Sequence, residues 1–292
     1  MDDWRQLTVE QLTERYEQEN YAPNMKAVLA GFAQQSEQAR QVCRFEPFRY
    51  GTEAHEDGLW SRPSTAGGDV VVFVHGGAWR RGRAEDYLYP APWINQAGMH
   101  YVSLNFANVL ECQGQIFPMV RQVAQGLGWV MANAAAYGAA PRIHLVGHSS
   151  GAHLAACVAT LDWNMRVPGH PDALRSLTLC SGTYDLEPVR HSGRSQYLRL
   201  DPTEVYALSP LYLQANPKVP VCLAVGEHES PEFLRHYRTM ATKLQRAGVP
   251  ARHGIMPGVN HFEVFGTFGS AQGALAQFWH HSLVAMGAIP SA

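Results

Sequence analysis

A serine lies at a glycine-flanked corner in the segment Gly147-His148-Ser149-Ser150-Gly151. An apolar run precedes this segment and a run of small residues follows it, which predicts that a strand turns into a helix here. Glycines at both ends allow strand and helix to approach closely and tolerate strained backbone at the serine. The pattern predicts a nucleophilic Ser149 exposed at the carboxyl edge of a sheet. A serine that only caps the helix is the alternative.

A second glycine motif, His-Gly-Gly-Ala-Trp at residues 75–79, begins at the last residue of the apolar run 70–75. Glycines at the end of a strand let backbone N–H groups point at a developing oxyanion, so we expect donors at Gly76 and Gly77. The N–H after the nucleophile, that of Ser150, is the expected third donor. Losing one such donor costs about 3 to 4 kcal/mol of transition-state stabilisation. An ordinary turn with Trp79 in the core is the alternative.

The chain order serine, acid, histidine predicts where the partners of the nucleophile lie. His261 is the histidine in the loop after the last strand-like run, and we expect it to act as general base and then general acid. Three carboxylates follow the preceding strand, at Glu227, Glu229 and Glu232. Ser230 is the expected N-cap of the next helix, where Glu232 would complement the helix dipole. Spacing alone leaves Glu227 and Glu229 equal.

Strand-like and helix-like runs alternate along the chain, which predicts one mostly parallel sheet flanked by helices. A chain of 292 residues with 46% hydrophobic residues is expected to form a single domain over 1–292. Residues 1–45 are predicted to be a helical N-terminal segment, and 183–217 a small, lid-like insertion after strand 6. The strand-like runs are 70–75, 101–105, 142–146, 174–181, 219–226 and 251–257, and the helix-like runs are 84–97, 115–137, 151–161, 231–248 and 270–287.

Charge and composition point to a small-molecule substrate. The net charge is −2, from 23 basic and 25 acidic residues without long runs of either sign, which predicts no nucleic-acid or membrane partner. The polar start and the lack of a run of about 18 apolar residues predict a cytoplasmic protein. No metal-ligand motif is present, so we expect neither metal nor cofactor. The oligomeric state is left open.

Several motifs together resemble the kynurenine formamidases, or arylformamidases, of the α/β-hydrolase superfamily. They are the His-Gly-Gly-Ala-Trp motif, the serine motif with Ala-His-Leu-Ala-Ala after it, Ser-Gly-Thr-Tyr-Asp-Leu-Glu-Pro at 181–188, the Ser209-Pro210 pair, Glu-His-Glu-Ser-Pro-Glu-Phe at 227–233 and Asn-His-Phe at 260–262. The resemblance implies an α/β-hydrolase fold and makes Glu229 the triad acid. It also implies hydrolysis of N-formylkynurenine through a formyl-enzyme intermediate.

The chain departs from this family at several positions, and the departures keep a second substrate class open. Glu229 stands where the family usually has Asp, and Ser150 where it usually has Ala. Trp79 and Tyr184, which are adjacent to motifs, are the candidates for lining the aryl pocket. The alternatives are a carboxylesterase acting on small acyl esters and a catalytically silent ligand-binding hydrolase fold.

We predict that prolonged treatment with EDTA leaves hydrolysis within about twofold of the untreated rate, because serine chemistry needs no metal. Turnover of p-nitrophenyl acetate before and after dialysis against the chelator measures this. A loss of activity that zinc restores would overturn the predicted mechanism.

Overall fold

The structure is a computed structural model that describes residues 3–167, 172–216 and 218–290. The strands are β1 (Phe45–Arg49), β2 (Asp57–Ser61), β3 (Val70–Val74), β4 (His100–Leu104), β5 (Ile143–His148), β6 (Leu174–Cys180), β7 (Val221–His228) and β8 (Ala251–Asn260). The helices are α1 (Val9–Tyr16), α2 (Met25–Val42), α3 (Ala91–Gln96), α4 (Phe117–Asn133), α5 (Ser150–Ala159), α6 (Trp163–Arg166), α7 (Glu187–Arg190), α8 (Pro202–Leu208), α9 (Pro231–Arg246), α10 (Glu263–Gly266) and α11 (Ala274–Ala285). Short 3-10 turns lie at Trp4–Gln6, Gln18–Tyr21, Ala84–Tyr87, Ala134–Tyr137 and Gly193–Gln196.

The strands form one eight-stranded sheet in the order β1-β2-β4-β3-β5-β6-β7-β8. β2 pairs antiparallel with both β1 and β4, whereas the pairs from β4 to β8 are parallel. Parallel neighbours require crossover connections, and the helices provide them. The sheet is therefore mostly parallel and flanked by helices, as the sequence predicted.

Side chains on β3 alternate between two apolar layers, one on each face of the sheet. Val70, Val72 and Val74 pack in the cluster that contains α4, α5 and α9. Val71 and Phe73 pack in the cluster that contains residues of α2, α3 and α11. Successive side chains of a strand point to opposite faces, so a strand covered by helices on both sides is apolar throughout.

The N-terminal strand pair β1 and β2 was missed by the sequence analysis. Pro47 lies within β1, and β2 begins with Asp57 and Gly58, residues that are depleted in strands. β1 is an edge strand with one neighbour, where a proline is tolerated because the missing N–H faces outward. Within the described residues, no helix has both the length and the apolar character needed to cross a membrane.

Close packing between the start of α5 and the end of β3 depends on Gly151. A Cβ atom placed there would lie 2.1 Å from the Val74 carbonyl oxygen and 2.4 Å from that of His75. Both obstacles are backbone atoms, which cannot move without shifting the strand. This glycine therefore lets the serine corner and the glycine-rich loop after β3 pack side by side.

We predict that Gly151→Ala lowers the free energy of unfolding by about 3 kcal/mol, as overpacking does in a well-packed core. Gly128→Ala in α4 is the matched control, because its Cβ would lie at ordinary contact distances of 3.5 Å from Val167 and 3.7 Å from Trp163. That variant should gain about 0.5 to 1 kcal/mol from the higher helix propensity of alanine. Urea denaturation measures both, and equal stability of the two variants would contradict the packing argument.

Candidate active site

The serine corner lies between β5 and α5, and its backbone is strained. Ser149 has φ 56° and ψ −124°, a conformation that non-glycine residues rarely adopt and that costs about 1 to 3 kcal/mol. The Ser149 N–H donates to the Cys180 carbonyl of the neighbouring strand over 2.9 Å. The structure therefore holds this side chain at the carboxyl edge of the sheet.

A chain of hydrogen bonds joins Ser149, His261 and Glu229, which are called the triad below. His261 Nε2 lies 2.9 Å from Ser149 Oγ, and His261 Nδ1 lies 2.8 Å from Glu229 Oε2. The three residues are 8%, 3% and 5% exposed, respectively. A carboxylate on Nδ1 favours the tautomer whose Nε2 accepts the serine proton, so this arrangement has the geometry of a nucleophile, a base and an orienting acid.

The buried carboxylate of Glu229 has further hydrogen-bond donors besides the histidine. Its Oε1 accepts from the Gly226 N–H over 3.0 Å and from the Ser181 hydroxyl. Buried charges need such donors, because an unsatisfied carboxylate away from water is costly. Ser181 had no predicted role, although it is the first residue of the Ser-Gly-Thr-Tyr-Asp-Leu-Glu-Pro segment, which contributes to the resemblance.

The other two carboxylates after β7 lie elsewhere. Glu227 is exposed and accepts from the Gly258 N–H over 2.8 Å. Glu232 lies in the first turn of α9, where it forms a 2.9 Å ion pair with Arg235. Of the three candidates, the structure brings Glu229 to the histidine.

The glycine-rich loop after β3 packs directly against the serine corner. A Cβ atom at Gly76 would lie 2.9 Å from the Ser149 Cβ, and the Trp79 N–H donates to Ser150 Oγ over 3.1 Å. Gly77 has φ 123°, which a side chain would strain. Among the described residues, no acceptor bonds the N–H groups of Gly77 or Ser150. These N–H groups are free to bind an oxyanion.

Two buried histidines on the serine corner have structural contacts. His148 Nε2 donates to the His261 carbonyl over 2.9 Å, and burial, aided by the nearby His261, lowers the pKa of His148 to about 3. Burial also lowers the pKa of His153 to about 4, and its Nε2 donates to the Leu208 carbonyl over 2.7 Å. Both rings are therefore neutral near pH 7, and His148 holds the backbone of the triad histidine.

The structure corrects the prediction that Trp79 and Tyr184 line the substrate pocket. Trp79 is 2% exposed and its Nε1 donates to His153 Nδ1 over 3.2 Å. Tyr184 is 1% exposed, and its hydroxyl accepts from the Gly182 N–H over 3.2 Å. Neither side chain lines the cavity at Ser149, because both rings fold inward and find their polar partners within the core.

A cavity of about 440 Å³ opens onto Ser149 and His261. Much of its wall comes from the N-terminal segment, and the insertion 183–217 supplies Arg194. Besides Ser149, His261 and Arg194, the residues that line it are Tyr16, Glu17, Gln18, Glu19, Met25, Leu29, Ala30, Phe32, Ala33, Gly77, Ala78, Arg80, Arg81, Gly82, Asp86, Tyr87, His148 and Phe262. No motif in the sequence had indicated that the N-terminal segment lines the site.

Hydrogen bonds fasten the N-terminal segment to both loops that carry triad residues. Gln18 Nε2 donates to Ser230 Oγ over 2.7 Å, and Asn260 Nδ2 donates to Asn24 Oδ1 over 2.8 Å. Ser230 and Asn260 are immediate chain neighbours of the acid and of the histidine. The N-terminal segment therefore helps to hold the triad in place and also forms part of the cavity wall.

Within the described part of the chain, no group of three His, Cys, Asp or Glu side chains is arranged to hold a metal ion.

The overall fold has a counterpart among solved structures. A proposed thioesterase from Silicibacter sp. superimposes with a TM-score of 0.80 at 23% identity, over 92% of this chain and 98% of that one. The chain has the α/β-hydrolase fold. The BD-FAE family model matches residues 61–176, from the end of β2 into β6.

Two kinds of sequence relative match this chain. Kynurenine formamidase of Danio rerio is 27% identical over 280 residues, which cover 90% of this chain and 92% of the relative. Isoprenylcysteine alpha-carbonyl methylesterase of Arabidopsis thaliana is 41% identical over 226 residues, which cover 67% of this chain and 51% of the relative. The similarity to kynurenine formamidases thus extends along nearly the whole chain.

We predict that Glu229→Gln lowers kcat by about 10³- to 10⁴-fold, because a neutral amide no longer stabilises the His261 imidazolium. Glu227→Gln is the matched control, since Glu227 is exposed and bonds Gly258 instead. It should stay within about twofold of the parent enzyme. Steady-state hydrolysis of p-nitrophenyl acetate measures both, and the reverse order of effects would reject Glu229 as the acid.

Proposed function

We propose that this chain is a serine hydrolase that removes the formyl group from an N-formyl arylamine, as the resemblance to kynurenine formamidases implies. The observation that carries the proposal is the hydrogen-bonded series from Glu229 through His261 to Ser149, which ends at a cavity. The free N–H groups of Gly77 and Ser150 flank the same serine.

The first half of the reaction forms a formyl-enzyme. Ser149 Oγ attacks the formyl carbon while His261 Nε2 takes the serine proton, and Glu229 stabilises the imidazolium that results. Backbone N–H groups of Gly77 and Ser150, with that of Gly76 as a further donor, bind the oxyanion of the tetrahedral intermediate. The intermediate then collapses, the C–N bond breaks, and His261 gives its proton to the leaving arylamine.

The second half restores the enzyme. A water molecule loses a proton to His261 and attacks the formyl carbon of the ester. The second tetrahedral intermediate breaks its bond to Ser149 Oγ, which regains the proton from the histidine, and formate leaves. These reaction steps need no metal and no cofactor, because side chains accept and donate every proton that is transferred.

The cavity supports an aromatic leaving group. Four aromatic rings line it, those of Tyr16, Phe32, Tyr87 and Phe262. A volume of about 440 Å³ lies in the range of small-molecule sites, which are mostly apolar with a few polar groups that fix orientation. These rings take the place that the sequence analysis had proposed for Trp79 and Tyr184.

A carboxylesterase is the second candidate, and the similarity to isoprenylcysteine alpha-carbonyl methylesterase favours it. The triad and oxyanion groups serve either reaction, because esters and formamides pass through the same kind of tetrahedral intermediate. A catalytically silent fold is disfavoured, since such proteins usually lack a triad or oxyanion element. The length of acyl chain that the protein prefers distinguishes the two candidate functions.

We predict that kcat/KM is highest for N-formyl arylamines and falls by about tenfold or more per step from formyl to acetyl to butyryl. The reason is that each longer acyl chain must fit an acyl pocket that suits the single hydrogen of a formyl group. N-formyl-L-kynurenine and matched p-nitrophenyl esters are the substrates. Ser149→Ala, which should lose about 10⁴-fold or more, is the control for contaminating hydrolases. A rise from acetyl to butyryl without any deformylation would favour the esterase.

A further inference from the structure

The loop over residues 76–79, called the oxyanion loop below, has three consecutive residues in the left-handed region. Gly77, Ala78 and Trp79 have φ values of 123°, 53° and 60°. A glycine adopts such a conformation freely, whereas a residue with a side chain adopts it only at a cost in free energy. Ala78 and Trp79 therefore need contacts that hold them, because the backbone alone disfavours this turn.

Trp79 makes such contacts through both of its backbone polar groups. Its N–H donates to Ser150 Oγ over 3.1 Å, and its carbonyl accepts from the Val109 N–H over 2.7 Å. Ser150 is 4% exposed and stands where kynurenine formamidases usually have Ala, which has no hydroxyl. The backbone N–H of Ser150 is itself a proposed oxyanion donor. Ser150 therefore joins the two elements that carry the donors, the oxyanion loop and the start of α5.

The indole of Trp79 has a further buried partner, His153 on α5. Trp79 Nε1 donates to His153 Nδ1 over 3.2 Å, and the two rings meet edge to face with their centroids 5.3 Å apart. His153 Nε2 donates to the Leu208 carbonyl over 2.7 Å, which selects the tautomer whose Nδ1 accepts. Burial lowers the pKa of His153 to about 4, so the ring keeps this acceptor near pH 7.

The contact with Leu208 connects the oxyanion loop to the insertion between β6 and β7. Leu208 is the last residue of α8, and the last carbonyls of a helix have no partner within it. Ser209, the next residue, accepts from the Leu186 N–H over 2.8 Å and joins two parts of the insertion. His153 of the Ala-His-Leu-Ala-Ala motif and the Ser209-Pro210 pair thus meet at the same point of the structure.

We propose that Ser150 and His153 are positioning residues that hold the strained turn of the oxyanion loop through Trp79. Their hydrogen bonds keep the turn in a conformation that it would otherwise leave, and so keep the Gly77 N–H directed at the oxyanion position. A misplacement of about 1 Å can cost about 10²-fold in rate. This inference rests on the serine mechanism of the proposed function but not on the formyl group, since ester and formamide hydrolysis both form an oxyanion.

The kinetic test compares p-nitrophenyl acetate with its thiono analogue, in which sulfur replaces the carbonyl oxygen. The larger sulfur anion of the thiono ester fits oxyanion donors poorly, so its hydrolysis depends less on their position. In Ser150→Ala, kcat for the oxygen ester should fall by about 10- to 100-fold with KM within about threefold of the parent value, because the donors act on the transition state. The ratio of oxygen to thiono kcat/KM should fall by about tenfold.

A variant that merely folds less well loses both rates alike and leaves this ratio unchanged, and an unchanged ratio would overturn the positioning role. Ser176→Ala is the matched control, because it also removes a buried hydroxyl that bonds a buried histidine. Ser176 Oγ lies 2.8 Å from His144 Nδ1, near the start of β5 and at the opposite end of that strand from Ser149. The control should keep the parent ratio, and an equal fall there would also reject the role.

Two polar replacements of His153 separate its two hydrogen bonds. The amide oxygen of Asn reaches the place of Nδ1 and keeps an acceptor for Trp79, whereas the amide of Gln reaches the place of Nε2 and keeps only the bond to Leu208. His153→Gln should lower the oxygen-to-thiono ratio by about tenfold, and His153→Asn should stay within about threefold of the parent. Equal ratios in these two variants would reject the assignment of the role to the Trp79 contact.

Hydrogen exchange tests the hold on the loop without any substrate. Exchange of the backbone amides in a peptide over residues 76–81 is followed by mass spectrometry in the folded parent and variants. Ser150→Ala and His153→Gln should speed this exchange by about tenfold and leave that of β5 unchanged, because the loop opens locally when its partners are removed. Equal exchange of the loop in parent and variants would contradict the inference.

The outcomes also separate this inference from the proposed function. Faster exchange of the loop in both variants, in a protein whose parent form shows no hydrolysis that depends on Ser149, would keep the hold on the loop and reject the serine mechanism. Hydrolysis that depends on Ser149, with loop exchange and substrate ratio unchanged in the variants, would keep the function and reject the positioning role.

Discussion

The site depends on one local constraint, the strained backbone at Ser149. A serine in this conformation persists only because its surroundings leave no alternative: its N–H bonds the Cys180 carbonyl, and Gly151 packs against the end of β3. The same packing brings the glycine-rich loop beside the serine, through the hydrogen bond from Trp79 to Ser150. Ser149 and the proposed oxyanion donors are thus positioned by three neighbouring strands of the sheet.

The triad acid illustrates how a buried charge is made tolerable. Glu229 is 5% exposed, and its two oxygens are divided between different partners, with His261 on one and Ser181 and Gly226 on the other. Donors on both sides offset the loss of water and fix the direction of the carboxylate. The longer side chain of Glu, where kynurenine formamidases usually have Asp, is held in place by these contacts from β7 and from the residue after β6.

The N-terminal segment gives this sheet a specific cavity. Its residues wall the space above Ser149 and bond the chain neighbours of both remaining triad residues through Gln18 and Asn24. Arg194, from the insertion between β6 and β7, joins this wall by donating to the Tyr16 carbonyl. Segments separated by almost 180 residues in the chain therefore build the wall of the cavity, while the ends of the sheet strands position the triad.

The sequence by itself determined the features that depend on local backbone geometry. The strand-turn-helix at Ser149, the glycine loop after β3 and the mostly parallel sheet follow from glycine positions and from the spacing of apolar runs, which act over a few residues. The spacing of residues left Glu227 and Glu229 equal as candidate acids, and the tertiary structure shows that Glu229 is the one that contacts His261. The direction of each side chain depends on where β7 ends and on what packs there. The N-terminal wall, the role of Ser181 and the burial of Trp79 and Tyr184 were likewise decided by contacts between distant segments, and such contacts leave no periodic signal in the chain.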